Sequence, residues 1–431
     1  MKSNIYKSIL FFMTAVTLSA EPLTFSKAYN LAVEKSHTIK SSDYKYQSET
    51  HKTEEEKSAL YPHLNLSASY KKARYYSRSV SKQTVANYAL SFKQSIYDAE
   101  TYARINVQKQ HSKYANLDVK QKKITLTQDI MKAYLDAMRS DAKIKLLESE
   151  IEYTRSMQTK IQKQFTMRLS DKVDLLEMQV EYNSAKIELD KEKKAYNRYI
   201  ETLEEYTQQS NIEIPQINLL GNIQPLLYDM QRAASGQIES ADVEQSSIVL
   251  KMKEYEVKQA KAGYYPKIDL SVVYSKSDMN SPTIQDPFTK SEYAVVSLSM
   301  PLYDGGYNSA AVEVAKLTKQ AAYEDLQDTK QKVDVKYENA VSLFQSSMDS
   351  VKLYKEALQS AHLYVDAVKT KYDRGLMNIT EYNKAKEKLY NIRYKYIDNL
   401  YDMLQSYIQI LADTNKLEDI VLLDKLLKDG K

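Results

Sequence analysis

Side chains suited to nucleophilic, acid–base or metal chemistry are few and scattered in this sequence. His37, His51, His63, His111 and His362 stand far apart, and none falls in a metal-ligand spacing such as HExxH. Each fits a surface or wall position. The chain has no cysteine, which removes thiol catalysis, disulfides and lipidation of an N-terminal Cys together. Glu54, Glu55 and Glu56 suit a solvated helix face better than a cation site. Gly305-Gly306 follows Asp304 outside any phosphate-cradling pattern and fits a tight strand-to-helix corner. No Ser–His–Asp set and no nucleotide motif is visible. No catalytic, cofactor-binding or metal-binding residue is expected from these patterns. Lysines and arginines number 61 against 57 acids, a net charge of +4, so the whole chain carries no nucleic-acid footprint. Lys71, Lys72, Arg74 and Arg78 do cluster, and two readings stay open: a patch that meets lipid phosphates, or a solvated loop.

The elements that carry these residues are repeated. A charged, Ala-containing stretch reaches Leu60-Tyr61-Pro62 and then alternates in polarity; roughly two hundred residues on, Tyr264-Tyr265-Pro266 opens a second alternation. Each copy has a further alternating run ending in a bend, at Ser95-Ile96-Tyr97-Asp98 and at Pro301-Leu302-Tyr303-Asp304. Between them lie long helical patterns with a narrow apolar stripe, which is how coiled-coil seams look. Ile130, Tyr134 and Met138 lead into Ile144, Leu147 and Ile151. Val333 to Val351 and Leu389 to Ile410 keep the same rhythm. With only 7 Gly and 8 Pro in 431 residues, little interrupts them. The stretch from Asp98 to Leu169 is free of both and spans roughly 100 Å as a helix. Each long helix ends at a related turn, Gln164 to Asp174 in the first half and Lys371 to Glu381 in the second. Gly375 suits the left-handed residue needed there, and Arg168 takes that place in the first copy with local strain. Asp174 and Glu381 begin the returning helices, where the dipole favours acids.

Residues 1–20 read as a secretory signal, with Lys2 and Lys7 before a short apolar core and Ser19-Ala20 at the cleavage site. The four alternating runs are each about ten residues long, with one apolar and one small polar face. That fits tilted strands of a membrane barrel with a wet lumen. A half-buried soluble sheet has the same alternation, but the helices are occupied with each other and nothing remains to cover the apolar face. The stretches Tyr75 to Gln83 and Lys276 to Lys290 read as polar loops, and Thr24 to Leu60 as one short helix. Four strands cannot close a cylinder, since spanning barrels need at least about eight. Copies of the chain must then pool their strands.

The signal segment, the twofold repeat, Leu23-Thr24-Phe25 with Ala28, the Tyr-Pro entries, Pro301 through Gly306 and Tyr372 through Glu381 together resemble the TolC-type outer-membrane efflux proteins, over about Pro22 to Ala412. The resemblance implies an α+β membrane protein: long antiparallel coiled-coil helices, four transmembrane β-strands per chain, an internal twofold repeat and a shared trimeric β-barrel. In these terms the chain divides into a signal peptide at 1–20, an N-terminal periplasmic helix at 21–62, barrel strands at 63–97, a helical hairpin at 98–208, an equatorial segment at 209–227, a periplasmic helix at 228–265, barrel strands at 266–303, a second hairpin at 304–412 and a tail at 413–431. The implied function is a passive outer-membrane conduit for efflux or type I secretion. Its expected partners are two further copies, outer-membrane lipid, a periplasmic adaptor of the membrane-fusion class, and an inner-membrane ABC, RND or MFS transporter. The family closes the periplasmic end by polar links near the helix turns. Carried over, these implicate Asp174, Tyr372, Gly375 and Glu381 as the gate. Met377 stands where some members have a basic link residue, Val173 replaces a hydroxyl partner, and Lys384 follows Glu381 where a second acid is expected. The rival readings are a periplasmic adaptor and a coiled-coil structural protein.

Overall fold

The structure, a computed structural model, describes residues 22–76, 80–168, 170–215, 228, 230–232, 239–280, 288–416 and 424. The signal segment, Arg78, Leu169 and most of the segments expected at 209–227 and 413–431 lie outside the described residues.

Each half of the chain makes a strand pair followed by a long helix and a shorter return. Strands β1 (His63–Tyr76) and β2 (Val80–Asp98) lead into α3 (Ala99–Thr166), which returns as α4 (Lys172–Thr207). Strands β3 (Lys267–Asn280) and β4 (Phe288–Ser299) lead into α6 (Tyr307–Asp373), which returns as α7 (Ile379–Asp413). Short helices precede each strand pair: α1 (Phe25–Lys35) with α2 (His37–Ser58), and α5 (Ala241–Ala262). The 68 residues of α3 and 67 of α6 give rods of about 100 Å. Helices α2 and α4 pack along α3, while α5 and α7 pack along α6; α5 and α7 also meet α3 and so join the halves.

The N-terminal stretch forms two helices rather than one. Ser36 leaves the helical region, its hydroxyl accepts from the Ile39 N–H, and its own N–H bonds back to Ala32. A serine that bonds its neighbouring backbone competes with helix continuation. The described parts of the two regions expected as loops are strand, so β1 to β4 run 14, 19, 14 and 12 residues. Polar side chains signalled exposure there, but the ladder is made by the backbone and continues through them.

The four strands form one antiparallel sheet in the order β1-β2-β3-β4. Leu64, Phe92, Val272 and Ala294 align in one row across the sheet, and Leu66, Leu90 and Tyr274 in the next. A bulge between Ser95 and Tyr97 re-phases β2, so Tyr97 joins Ile268 and Leu298 on that face. The opposite face carries Asn65, Ser67, Ser91, Ser271 and Ser275. The division is less strict than the alternation implied: Val273, Tyr293 and Val295 fall on the polar face and Glu292 on the apolar one. Among the described residues no element covers the apolar face; Leu66 is 79% and Leu298 67% exposed.

The hydrophobic core lies instead among the helices. Phe25, Ile130, Tyr134, Leu135, Phe344, Tyr396, Leu400, Tyr401 and Leu404 are buried in one cluster. Phe25 lies against Tyr134 at 4.3 Å between ring centroids, and the Tyr134 hydroxyl donates to the Leu23 carbonyl. The Asp424 carboxylate accepts from the Phe25 N–H at 2.9 Å and from the Ser26 hydroxyl, so the tail ties down the start of α1. Where strands become helices, Asp98 accepts from the N–H groups of Glu100 and Thr101. Asp304 accepts from those of Gly306 and Asn308. Gly305 and Gly306 have φ of +67° and +93°, the corner expected of that pair.

Gly263 closes α5 against the start of α6. A Cβ there would stand 2.4 Å from Asn308 Oδ1, and the Asn308 amide donates to the Gly263 carbonyl at 3.2 Å. Gly263→Ala displaces that side chain and is expected to cost about 1 kcal/mol, the worth of one hydrogen bond. Thermal unfolding in detergent checks this, and adding Asn308→Ala should make the Gly263→Ala step nearly neutral.

Candidate functional site at the paired helix turns

The two helix turns are built alike. Arg168 and Gly375 occupy the left-handed region at φ +59° and +73°, which only glycine enters without strain. Each returning helix then opens with a capping box. Asp171 caps α4, and Asp174 accepts from the Asp171 N–H and from the Ser170 hydroxyl at 2.9 Å. Asn378 caps α7 by accepting from the Glu381 N–H at 2.8 Å, and Glu381 reaches back to the Asn378 N–H. Both acids thus satisfy helix-start donors. Among the described residues Glu381 forms no ion pair with Lys384, and no bond joins Asp174 to Tyr372.

Tyr372 instead connects helices. Its ring stacks on Tyr382 of α7 at 5.5 Å, and the Lys160 ammonium of α3 sits 4.6 Å over it. Lys160 also approaches Asp373 at 3.7 Å. The side chain at the end of α6 therefore bridges both hairpins through π-stacking and a cation–π contact. Met377 is partly buried against the core, Val173 is exposed, and nothing approaches the Cβ position of Gly375. Lys160 and Tyr382 were not singled out in the sequence. They lie within helical repeats, where only the packing of two hairpins selects them.

Further along, three helices meet in a polar seam. The Tyr153 hydroxyl donates to Asn383 Oδ1 at 3.4 Å, the Thr380 hydroxyl to Glu177 at 3.3 Å, and Gln158 to Gln179. Glu150 on α3 is pushed up to about 7, by burial first and then by the carboxylates of Glu181 on α4 and Glu387 on α7. Glu181 is raised as well, by burial and then by Glu177 and Glu387. This titratable cluster was also missed, because its members are far apart in the chain and read singly as solvated acids.

The remaining candidates do not converge. His37 and His51 lie fourteen residues apart on α2, His63 on β1, His111 on α3 and His362 on α6, where it contacts Arg393 at 3.0 Å. Among the described residues no three His, Asp or Glu side chains gather at metal-binding distance. Glu54 pairs with Lys57 and Glu56 with Arg104 of α3. No described helix is long and apolar enough to cross a membrane; exposed apolar side chains lie on the sheet and along α4 and α6.

A family model described as "Outer membrane efflux protein" matches residues 28–209 and 232–415, once for each half of the repeat. The outer membrane protein TolC of Escherichia coli is 21% identical over 400 residues, covering 87% of this chain and 79% of that protein. The alkaline protease secretion protein AprF of Pseudomonas aeruginosa is 22% identical over 245 residues, 56% of this chain and half the length of that protein. Among solved structures, CusC, described in terms of transmembrane channel formation, superposes with a TM-score of 0.80. It is 14% identical, with 91% of this chain and 92% of that one covered.

The carboxylate cluster yields a pH dependence. The folded chain holds the Glu150 proton up to about 7, whereas an unfolded glutamate loses it near 4.3. Between these values the folded state binds more protons, so stability falls as pH rises through that window. Glu150→Gln keeps a neutral side chain at every pH. Melting temperatures measured from pH 5 to 8 should decline less for this variant than for the unaltered chain; parallel curves would refute the assignment.

Proposed function

Since the chain belongs to the outer membrane efflux protein family, we propose that three copies close a single twelve-stranded barrel and join their helices into one tunnel. The chain is an outer-membrane efflux or secretion channel with a helical periplasmic extension, a conduit and not an enzyme. Family members typically assemble as trimers in tripartite efflux systems.

The observation that carries the proposal is the open sheet. Three antiparallel steps leave β1 and β4 running in opposite directions. The β4 edge of one copy thus pairs antiparallel with the β1 edge of the next, and repeating this contact around a rotation axis closes a ring. An unclosed edge in hydrocarbon leaves backbone groups unsatisfied at several kcal/mol each. Leu302 and Tyr303, just beyond β4, are 92% and 90% exposed and fit a neighbouring copy. The helices carry uncovered apolar stripes of their own. Val173, Leu176, Val180 and Ile187 line α4, while Leu317, Leu343, Leu353 and Leu363 stand out along α6. Packing one chain's stripe against the next supplies the burial that a helix rod needs.

The periplasmic end closes at the two helix turns. Tyr372 ties α6 to α3 and α7, Asp174 and Glu381 hold the first turns of α4 and α7, and Gly375 sets the second turn. A periplasmic adaptor engages the helix tips and relieves these contacts. An inner-membrane transporter of the ABC, RND or MFS class supplies the energy, and the cargo passes through without covalent change.

Two measurements test this. The chain has no native cysteine, so one cysteine in β1 with one in β4, scanned along the strands, should yield an oxidised ladder ending at a covalent trimer; a ladder stopping at the dimer, or none, overturns the shared barrel. Replacing Tyr372 by Ala and Asp174 by Asn together should raise single-channel conductance in planar bilayers, and unchanged conductance would remove these residues from the gate.

A further inference from the structure

We propose that the outer end of the sheet's apolar face forms a cationic belt that binds the phosphate groups of outer-leaflet lipid. The pairing register sets the geometry. Counted from the helices outward, the face carries Tyr97, Ile268 and Leu298, then Gln94, Leu270 and Val296, then Leu64, Phe92 and Val272, then Leu66, Leu90 and Tyr274. Beyond these apolar rows the same face changes character. Lys276 and Lys290 stand directly opposite each other, Lys72 follows on β1, and Arg74 pairs with Lys82. Five cations thus share the lipid-facing side near the hairpin tips, with Asp278 and Glu292 the acids among them. Among the described residues no carboxylate pairs with Lys72, Arg74, Lys82 or Lys290, and all four are exposed.

The belt has a direction. At the helix end of the sheet, Lys93 and Lys267 fall on the opposite, polar face, so the periplasmic rim of the apolar face has no counterpart. Helices on the periplasmic side put the hairpin tips at the outer leaflet. Tyr70 and Tyr88 lie among the cations and are exposed, the girdle position for an amphipathic ring. Lysine stems lie along the apolar rows while the ammonium groups reach the headgroups. The Arg74 guanidinium can take two phosphate oxygens at once. The exposed apolar rows directly below accept acyl chains, which assigns the site to a phosphate-bearing lipid rather than a free anion. The assignment rests on the barrel reading, because it needs this face to meet lipid.

The test uses the detergent-purified full chain, titrated with diphosphoryl lipid A, fully dephosphorylated lipid A and inorganic phosphate, with thermal stability as the readout. Diphosphoryl lipid A should raise the melting temperature with a half-saturation that weakens as salt increases. The other two ligands should leave it nearly unchanged. Changing Lys72, Arg74, Lys82, Lys276 and Lys290 to Gln should weaken the response about fivefold for each cation removed, while oligomeric state and conductance stay as in the parent. Lys71→Gln with Lys93→Gln, on the polar face, should respond like the parent. An equal response to dephosphorylated lipid, full reproduction of the shift by inorganic phosphate, or an undiminished response in the five-site variant would each overturn the proposal. If that variant fails to assemble, the salt dependence and ligand comparison on the unaltered chain decide it. Loss of the oligomer in the unaltered chain would instead count against the barrel.

Discussion

The backbone hydrogen bonds missing from the outer edges of β1 and β4 govern this structure. A four-stranded sheet with two open edges is tolerable in water, where solvent completes the ladder. It is not tolerable in hydrocarbon, where each orphaned N–H or C=O costs several kcal/mol. Among the described residues nothing covers the apolar side of this sheet, so it belongs in the medium that punishes open edges. Edge pairing between copies resolves both difficulties at once. The same requirement explains why the sheet is wholly antiparallel: an even number of antiparallel strands per chain is the arrangement in which identical copies join edge to edge without reversing direction.

The helices obey a different economy. Their stripes are too narrow to build a globular core, and their buried residues concentrate where several rods meet, around Tyr134, Phe344, Tyr401 and Leu404. Ion pairs between rods, such as Arg139 with Asp402 and Lys143 with Asp398 at 2.7 Å, fix alignment more than they stabilise, since partly exposed pairs contribute at most about 1 kcal/mol each. Near the turns the seams become polar and aromatic. Tyr153, Tyr372 and Tyr382 replace aliphatic packing with contacts that depend on geometry. Such contacts separate without exposing a large dry surface.

Much of the architecture was legible in the sequence because it rests on local rules. The period of the apolar positions marked the rods, the alternation marked the strands, and the Tyr-Pro entries and Asp bends marked where one became the other. Arg168 and Gly375 were identifiable as left-handed positions because each stands where a long helix ends and a helix C-terminus commonly takes such a residue. The break at Ser36 was not visible, since a single serine is common inside helices. The outer halves of the strands were also hidden, because their polar side chains resemble loops while their backbones still pair. Nor did the sequence reveal that Tyr372 contacts Lys160 and Tyr382, or that Glu150 faces Glu181 and Glu387. Those meetings are created by the packing of two hairpins, and no spacing along one chain encodes them.

The two halves turn from sheet to rod by unlike means. In the first, Tyr97 and Asp98 remain paired to β3 after the bulge, so the strand is held from its neighbour until the helix begins. In the second, the matching residues Tyr303 and Asp304 have left the sheet and run through two glycines with positive φ. One junction is braced on its flank by the sheet; the other is held by the Asp304 carboxylate on the N–H groups of Gly306 and Asn308 and by the Asn308 amide on the Gly263 carbonyl. The two long rods of the chain, α3 and α6, thus leave the sheet through joints of different construction. Strain carried along α3 passes into the ladder between β2 and β3, whereas strain carried along α6 passes into the side-chain bonds of Asp304 and Asn308.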